Sequence, residues 1–417
     1  MTQSTPEDNM ADESFNINED NDDLTVSSSM IVQQGISDSQ IEKHYETGRL
    51  RVVQEKNDIF LTHVISFIST ESKSKVWSNI RPEYQRRLRW DNKKKSQLIE
   101  SFIMNIPVPP IFLYEKTLGN FEVMDGQQRL NAISSFYEGE FPLQGLKIWQ
   151  ALNGKTYSQL PPLIRRGLDR AKISAITLMS DNSTSAEDSI DLRAQVFDRL
   201  NTGGEKLNAQ ELRNALYAGP FNELMIELSR NSAFAQAWEI PNYEENLRAD
   251  GSVSESLEKN TLYKRMSDVE IVIRFFAFRN PEDISGSVRS MLDETLKKNR
   301  HVTDSGLNKF KEEFYSCLDL CLRVYKEDVF RLPKSKSKND STLSRPLYDA
   351  QMIGMYLNID NKEKIIENAQ QIREGMSLLT KPDGDSYDLM VGRANTSQSV
   401  KERIYRVSNM IDEVING

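Results

Sequence analysis

Cysteine and histidine are scarce in this chain, at two and three among 417 residues. Cys317 and Cys321 lie four apart in a stretch with helical spacing, so they read as packing neighbours on one helix face, not as a disulfide or metal framework. His44, His63 and His301 are scattered, and none has a metal-ligand or HNH-nuclease context, which leaves no zinc framework. No apolar run approaches the roughly 18 residues needed to span a bilayer. The first 23 residues lack the basic start and apolar middle of a secretory signal. A reducing cytoplasm is therefore the expected home. A Walker-type phosphate loop, a nucleophile elbow and a Rossmann glycine fingerprint are missing as well. Any bond cleavage must rest on carboxylates, amides and arginines.

Positive charge is absent from one end. Residues 1–42 hold ten acids and no lysine or arginine, which leaves 52 acids against 53 bases in the remainder. The net charge of −9 thus belongs to a tail, and the body is free to carry a basic face toward nucleic acid. Poor in aromatics and rich in Asp, Glu, Asn and Ser, residues 1–42 are expected to be an acidic disordered tail.

At 417 residues the rest exceeds one ordinary domain. Within 43–182 the spacing predicts a helix from Ser96 to Met104, ended by Pro107-Val108-Pro109-Pro110. Strands are expected at Ile111 to Tyr114, at Phe121 to Met124 after a Gly119-Asn120 turn, and at Lys172 to Leu178. From Ser185 onward the pattern is almost wholly helical. Asn208 to Glu211 is a capping-box signature, and apolar helical stretches follow around 221–237, 262–279, 306–326, 345–357 and 398–414. No internal repeat is found. The economical reading is an α+β fold, with a mixed N-terminal core at 43–182 and a helical domain at 183–417.

Three clusters could carry chemistry. In Phe121-Glu122-Val123-Met124-Asp125-Gly126-Gln127-Gln128-Arg129-Leu130 a short apolar run stops at Asp-Gly, and helical spacing resumes at Leu130. That places a carboxylate, a bare backbone and a guanidinium at a helix N-terminus, which favours anions. The plain structural alternative is that Asp125 caps the helix and Gln128 completes a capping box. The second cluster runs from Arg81 to Lys95, with seven bases against two acids and the aromatics Tyr84 and Trp90. That composition suits phosphate contact with base stacking. Lys93, Lys94 and Lys95 are the candidate DNA contacts, with a solvated basic loop as the alternative. The third, Arg199 to Asn208 followed by Glu211 and Arg213, combines a Gly203-Gly204 turn with amides and arginines, and by itself reads equally as a helix hairpin.

In combination these motifs are more specific than any alone. Tyr84-Gln85-Arg86 with Trp90, Ile106 to Pro110, Asp125-Gly126-Gln127-Gln128-Arg129, and Phe197 to Gly204 with Gln210 to Asn214 follow in order. Together they resemble the DGQQR-motif family, the N-terminal domain type of GmrSD modification-dependent restriction endonucleases and of the SspE anti-phage protein. The resemblance is distinctive over roughly 60–240. It implies a ParB/sulfiredoxin-like α+β core with a helical extension, and nucleotide binding and hydrolysis at the DGQQR motif coupled to sensing foreign or modified DNA. Asp125 and Arg129 would then act on a nucleoside triphosphate, with Mg2+ as a further candidate cofactor. Gly126, Gln127, Gln128, Tyr84, Gln85, Arg86, Arg199, Asn201 and Arg213 would line its pocket. Characterised members join this domain to an HNH nuclease, and no such segment is seen after residue 240. A partner nuclease is therefore expected. Two alternatives stand beside this: a non-enzymatic nucleotide-binding adaptor, and a ParB-like metal-dependent DNA nuclease.

Overall fold

The computed structural model describes residues 37, 42, 52–68, 90–117, 120–180, 196, 208–248, 253–333, 341–382 and 384–417. Strand β1 (Val52–Phe60) runs directly into helix α1 (Leu61–Ile68). Next come α2 (Asn92–Ile103), β2 (Ile111–Thr117), β3 (Asn120–Asp125) and α3 (Gln127–Tyr137). Helix α4 (Pro162–Arg170) then leads into β4 (Lys172–Ser180). The four strands form one mixed sheet in the order β1-β4-β2-β3. Strand β2 pairs parallel with β4 and antiparallel with β3, and β1 pairs antiparallel with β4 along its whole length. The fold is α+β, as the sequence suggested.

Local chemistry sets the boundaries. Helix α2 begins four residues before the expected Ser96 because Asp91 caps it, its Oδ1 accepting the Lys94 N–H at 2.7 Å. The helix stops at Met104, and Asn105 turns to φ 56° ahead of the proline-rich segment. That segment cannot continue a helix and delivers the chain extended into β2.

The period of two along the strands separates the faces of the sheet. Ile111, Leu113, Val123, Ile173 and Ala175 pack under α1, α2 and α3 through Val64, Ile99, Leu130 and Ile133. On the opposite face Tyr114, Met124 and Leu178 meet Val196 and Leu212. Helix α2 also anchors the connection after α3. Its Ser96 hydroxyl accepts from Gln144 N–H at 3.0 Å, and the buried Glu100 carboxylate accepts from Ile148 and Trp149 N–H at 3.0 and 2.9 Å.

A second core holds the longer helices beyond α5 (Ala209–Leu216), among them α6 (Pro220–Ser229), α7 (Ser232–Ala237), α8 (Ser267–Phe278), α9 (Val288–Lys298), α10 (Asp304–Tyr325), α11 (Arg345–Leu357), α12 (Lys362–Glu367), α13 (Ala369–Leu379) and α14 (Ser397–Asn416). The stretches expected at 221–237 and 262–279 each break once. Asn231 caps a new helix, and Met266 adopts φ 56°. Phe275, Phe276, Phe310 and Phe314 interlock at its centre, with edge contacts between several of their rings. Cys317 and Cys321 are free and buried on α10. Burial pushes the Cys317 thiol up to about 12 and the Cys321 thiol well up, so both stay protonated and behave as core residues.

Helix α5 bridges the two cores. The expected Asn208 capping box is formed, with Asn208 Oδ1 accepting from Glu211 N–H and Glu211 Oε2 from Asn208 N–H, each at 2.9 Å. Leu212 packs on the sheet, while Arg213 points the other way, into the helices. Among the described residues no helix is long and apolar enough to cross a membrane.

One buried ion pair lies deep in the helical core. Arg274 donates from Nε and Nη2 to the two carboxylate oxygens of Asp349 at 2.9 and 2.5 Å, and both residues are buried. Deleting one partner of such a pair strands a charge in low dielectric, at a cost of about 3–5 kcal/mol. Asp349→Ala should lose that much in denaturant unfolding. A loss below about 1 kcal/mol, the range of exposed pairs, would contradict this placement.

Candidate functional site

Strand β3 ends at Asp125, and α3 begins two residues later. The single residue between them, Gly126, adopts φ 99° and ψ 7°. Only glycine occupies that left-handed region without cost. A Cβ there would lie 2.4 Å from Ile111 Cγ2 and 3.2 Å from the Arg129 Nη2. Conformation and space therefore both demand glycine, and together they press the bend onto β2.

Gly126 itself occupies the N-cap position, and no side chain caps the helix. Asp125 is not a cap, and Gln128 completes no capping box. Instead Asp125 Oδ2 accepts from Arg129 Nη2 at 2.6 Å, and the same nitrogen donates to the Pro110 carbonyl at 3.1 Å. The Arg129 side chain is only 15% exposed and that of Asp125 39%. One guanidinium thus pins the bend to the proline-rich segment and leaves the carboxylate at the surface.

Among the described residues, several donors around this pair lack acceptors. Leu130 N–H makes the first bond of the helix, to the Gly126 carbonyl, so the amides of Gln127, Gln128 and Arg129 have no intrahelical partner. Gln127 Nε2, Gln128 Nε2 and Arg129 Nε are buried and unpartnered among the described residues. Both glutamines are 8% exposed. Gln128 uses its oxygen, which accepts from Trp90 N–H at 3.4 Å. A buried donor without a partner costs about 1–3 kcal/mol. Three within three residues, all donors and at a positive helix end, match a ligand bearing several acceptor oxygens.

The remaining expected residues divide. Tyr84, Gln85, Arg86, Arg199 and Asn201 lie outside the described residues, as does nearly all of the acidic tail. Arg213 is 3% exposed and donates to Asp293 at 2.7 Å, Glu270 at 2.8 Å and Gln210 at 3.2 Å. It fastens α5 to α8 and α9, and this corrects the expectation that it lines the pocket. The part-buried Glu270 carboxyl would be raised by desolvation, but Arg213, Arg345 and Arg274 outweigh this and hold it below the usual range. Lys95 corrects a second expectation, that of a DNA contact. It is half-buried, its Nζ lies 3.4 Å from Ser135 Oγ and above the Phe141 ring, and burial lowers its pKa against the opposing pull of Glu140. Lys93 and Lys94 are exposed, Lys94 lying over the Trp90 ring. Trp90 and Pro110 act here through backbone atoms, which no side-chain pattern announces.

Residues 64–218 match the family of the GmrSD restriction endonuclease, N-terminal domain. This segment is a GmrSD-type N-terminal domain. Its match begins inside α1, takes in β2, β3, β4 and the Asp125–Arg129 bend, and ends just past α5, so the bridging helix belongs to the GmrSD-type unit. The domain links the chain to restriction systems. No curated protein and no solved structure matches the chain.

Gly126→Ala should destabilise the protein by about 1–3 kcal/mol, the cost of a strained left-handed residue, with a further penalty from Ile111. A melting temperature equal to the wild type would show that the bend is relaxed.

Proposed function

We propose that this protein is a nucleoside-triphosphate-binding, DNA-sensing component of a modification-dependent restriction or anti-phage system, working with a nuclease supplied elsewhere. The observation that carries the reading is the set of buried donors at the start of α3, Gln127 Nε2, Gln128 Nε2 and Arg129 Nε, that have no acceptor among the described residues. Phosphate oxygens supply the missing acceptors, and the open amides of the helix end add to them. The GmrSD-type domain supports the link to restriction.

In this account the α3 amides and the two glutamines bind the phosphates. Arg129 offsets charge as it builds on the phosphoryl oxygens, from a position already fixed by the Pro110 carbonyl. Asp125, half-open to solvent, orients the attacking water. One carboxylate also suits Mg2+, which is held mostly by phosphate and water oxygens and would supply further charge neutralisation. Among the described residues no group of three or more His, Cys, Asp or Glu side chains could hold a metal, so a triphosphate would have to complete the coordination.

The 2.6 Å pairing of Asp125 with Arg129 favours a second reading, in which nucleotide binds and is not hydrolysed. While the carboxylate accepts from the guanidinium, part of its capacity to orient water is taken. Phosphate release measured beside equilibrium binding separates the two. Under the first reading Asp125→Ala lowers phosphate release on the order of 100-fold and leaves the melting transition in place. Binding with no release in the wild type would establish the adaptor instead.

The glutamines provide a sharper test. Replacing a buried orphan donor by an apolar group of similar length is neutral or stabilising for the free protein. Gln127→Met should therefore keep or raise the melting temperature, whereas Gln128→Met also removes the acceptor of the Trp90 N–H and should melt somewhat lower; both should weaken triphosphate binding at least tenfold. Unchanged affinity in both would remove the basis of the nucleotide assignment.

A further inference from the structure

Helix α4 buries only one of its nine residues, Leu168. One turn apart along its outer side lie Leu163, Arg166, Gly167 and Arg170, all exposed, with Leu163 75% open to solvent. Gly167 has ordinary helical backbone, and a Cβ built on it meets nothing within 4 Å. Neither conformation nor internal packing calls for glycine there, yet a mid-helix glycine costs roughly 0.5–1 kcal/mol relative to alanine. What it provides is a low point on the helix surface where another backbone can come close.

Charge indicates whose backbone. Residues 143–172 contain six bases, Lys147, Lys155, Arg165, Arg166, Arg170 and Lys172, against the single acid Asp169. Asp169 is occupied by the Tyr157 hydroxyl, which donates to it at 2.6 Å. Arg166 and Arg170 form no ion pair among the described residues. The α4 helix packs on α1 and α2. Through Glu100, α2 also holds the loop bearing Lys147 and the exposed Trp149, and Lys93 lies along Gly145 of that loop. The elements that carry Arg166, Arg170, Lys147 and Lys93 thus all pack on α2 or belong to it. Guanidiniums flanking a glycine suit a sugar–phosphate chain: arginine forks bind phosphate in bidentate fashion, and the glycine admits the close approach.

We propose that the outer face of α4, centred on Arg166, Gly167 and Arg170, docks on the phosphate backbone of duplex DNA. This rests on the DNA-sensing reading above and adds the surface that does the sensing. The contact is electrostatic and independent of sequence, so it must show in the salt dependence of binding.

The test uses the full chain and a fluorescent unmodified 30-base-pair duplex, titrated by anisotropy across a range of salt. The double variant Arg166→Gln/Arg170→Gln should lose on the order of tenfold in affinity, and the slope of log K against log salt should shrink by about two. Gly167→Ala should melt at the same or a higher temperature and bind the duplex several-fold more weakly. A matched charge control on α12, Lys362→Gln/Lys364→Gln, should leave slope and affinity as they were. Wild-type slope and affinity in the arginine variant would overturn the docking face while leaving DNA sensing standing. An equal loss in the α12 control would overturn it too, as would displacement of the duplex by polyglutamate at matched charge, which would point to an acidic protein. Failure of the wild type to bind duplex at low salt would sink both this surface and the DNA-sensing reading.

Discussion

Arg129 ties together two segments that the β2–β3 pairing brings side by side, with Phe112 opposite Asp125. Its Nη2 reaches Asp125 one turn back in sequence and the Pro110 carbonyl across the sheet edge. Gly126 makes this possible, because any side chain there would strike Ile111 and push against the same nitrogen. The bend, the proline-rich lead into β2 and the start of α3 are thus one unit, and the acceptor-less donors of Gln127 and Gln128 are held beside it by burial. Moving any one of these parts would open a different set of donors. A site built in this way is pre-organised, so binding requires little further ordering of side chains.

That rigidity has a route into the rest of the molecule. Met124, the residue before Asp125, lies on the sheet face that meets Leu212 of α5. One residue further along α5, Arg213 ties the helix to Glu270 and Asp293 in the helical core. An event at the bend and an arrangement of the helices therefore share a contiguous set of packed and ion-paired groups. This is spatial continuity, the physical minimum for coupling between sites. The Arg213 assignment changes accordingly, from a group that touches nucleotide to one that holds the two cores in register.

Elements whose apolar residues follow a clear period were legible in the sequence. Strands β2, β3 and β4, helices α10, α11 and α14, the Asn208 cap and the buried cysteine pair all follow from spacing. Strand β1 was not, because Gln54 to Asp58 are exposed and charged or polar on both faces. It lies at the sheet edge, where such residues guard against wrong pairing and erase the alternation that marks a strand. Helix α4, with one buried residue, has no apolar stripe to read. At the site, the motif marks the Asp125–Arg129 bend, and the plain capping alternative is not what the structure shows, because Gly126 holds the N-cap position and Asp125 accepts from Arg129. The Asp125 carboxylate had two partners at equal sequence distance from plausibility, the helix amides and Arg129, and only the left-handed turn at Gly126 decides between them. Arg213 and Lys95 were misread for a shared reason. A basic side chain in sequence carries no sign of whether it faces solvent, a carboxylate or an aromatic ring.

The central claim is that the first turn of α3 receives phosphate oxygens. Amide hydrogen exchange of the full chain, with and without a saturating non-hydrolysable triphosphate, tests it most directly. The Gln127, Gln128 and Arg129 amides have no acceptor in the helix and should exchange quickly in the free protein. With the triphosphate they should slow strongly, while α10 and α14 exchange as before. Identical exchange at those three amides in the two states, under conditions where the nucleotide is bound, would contradict the account.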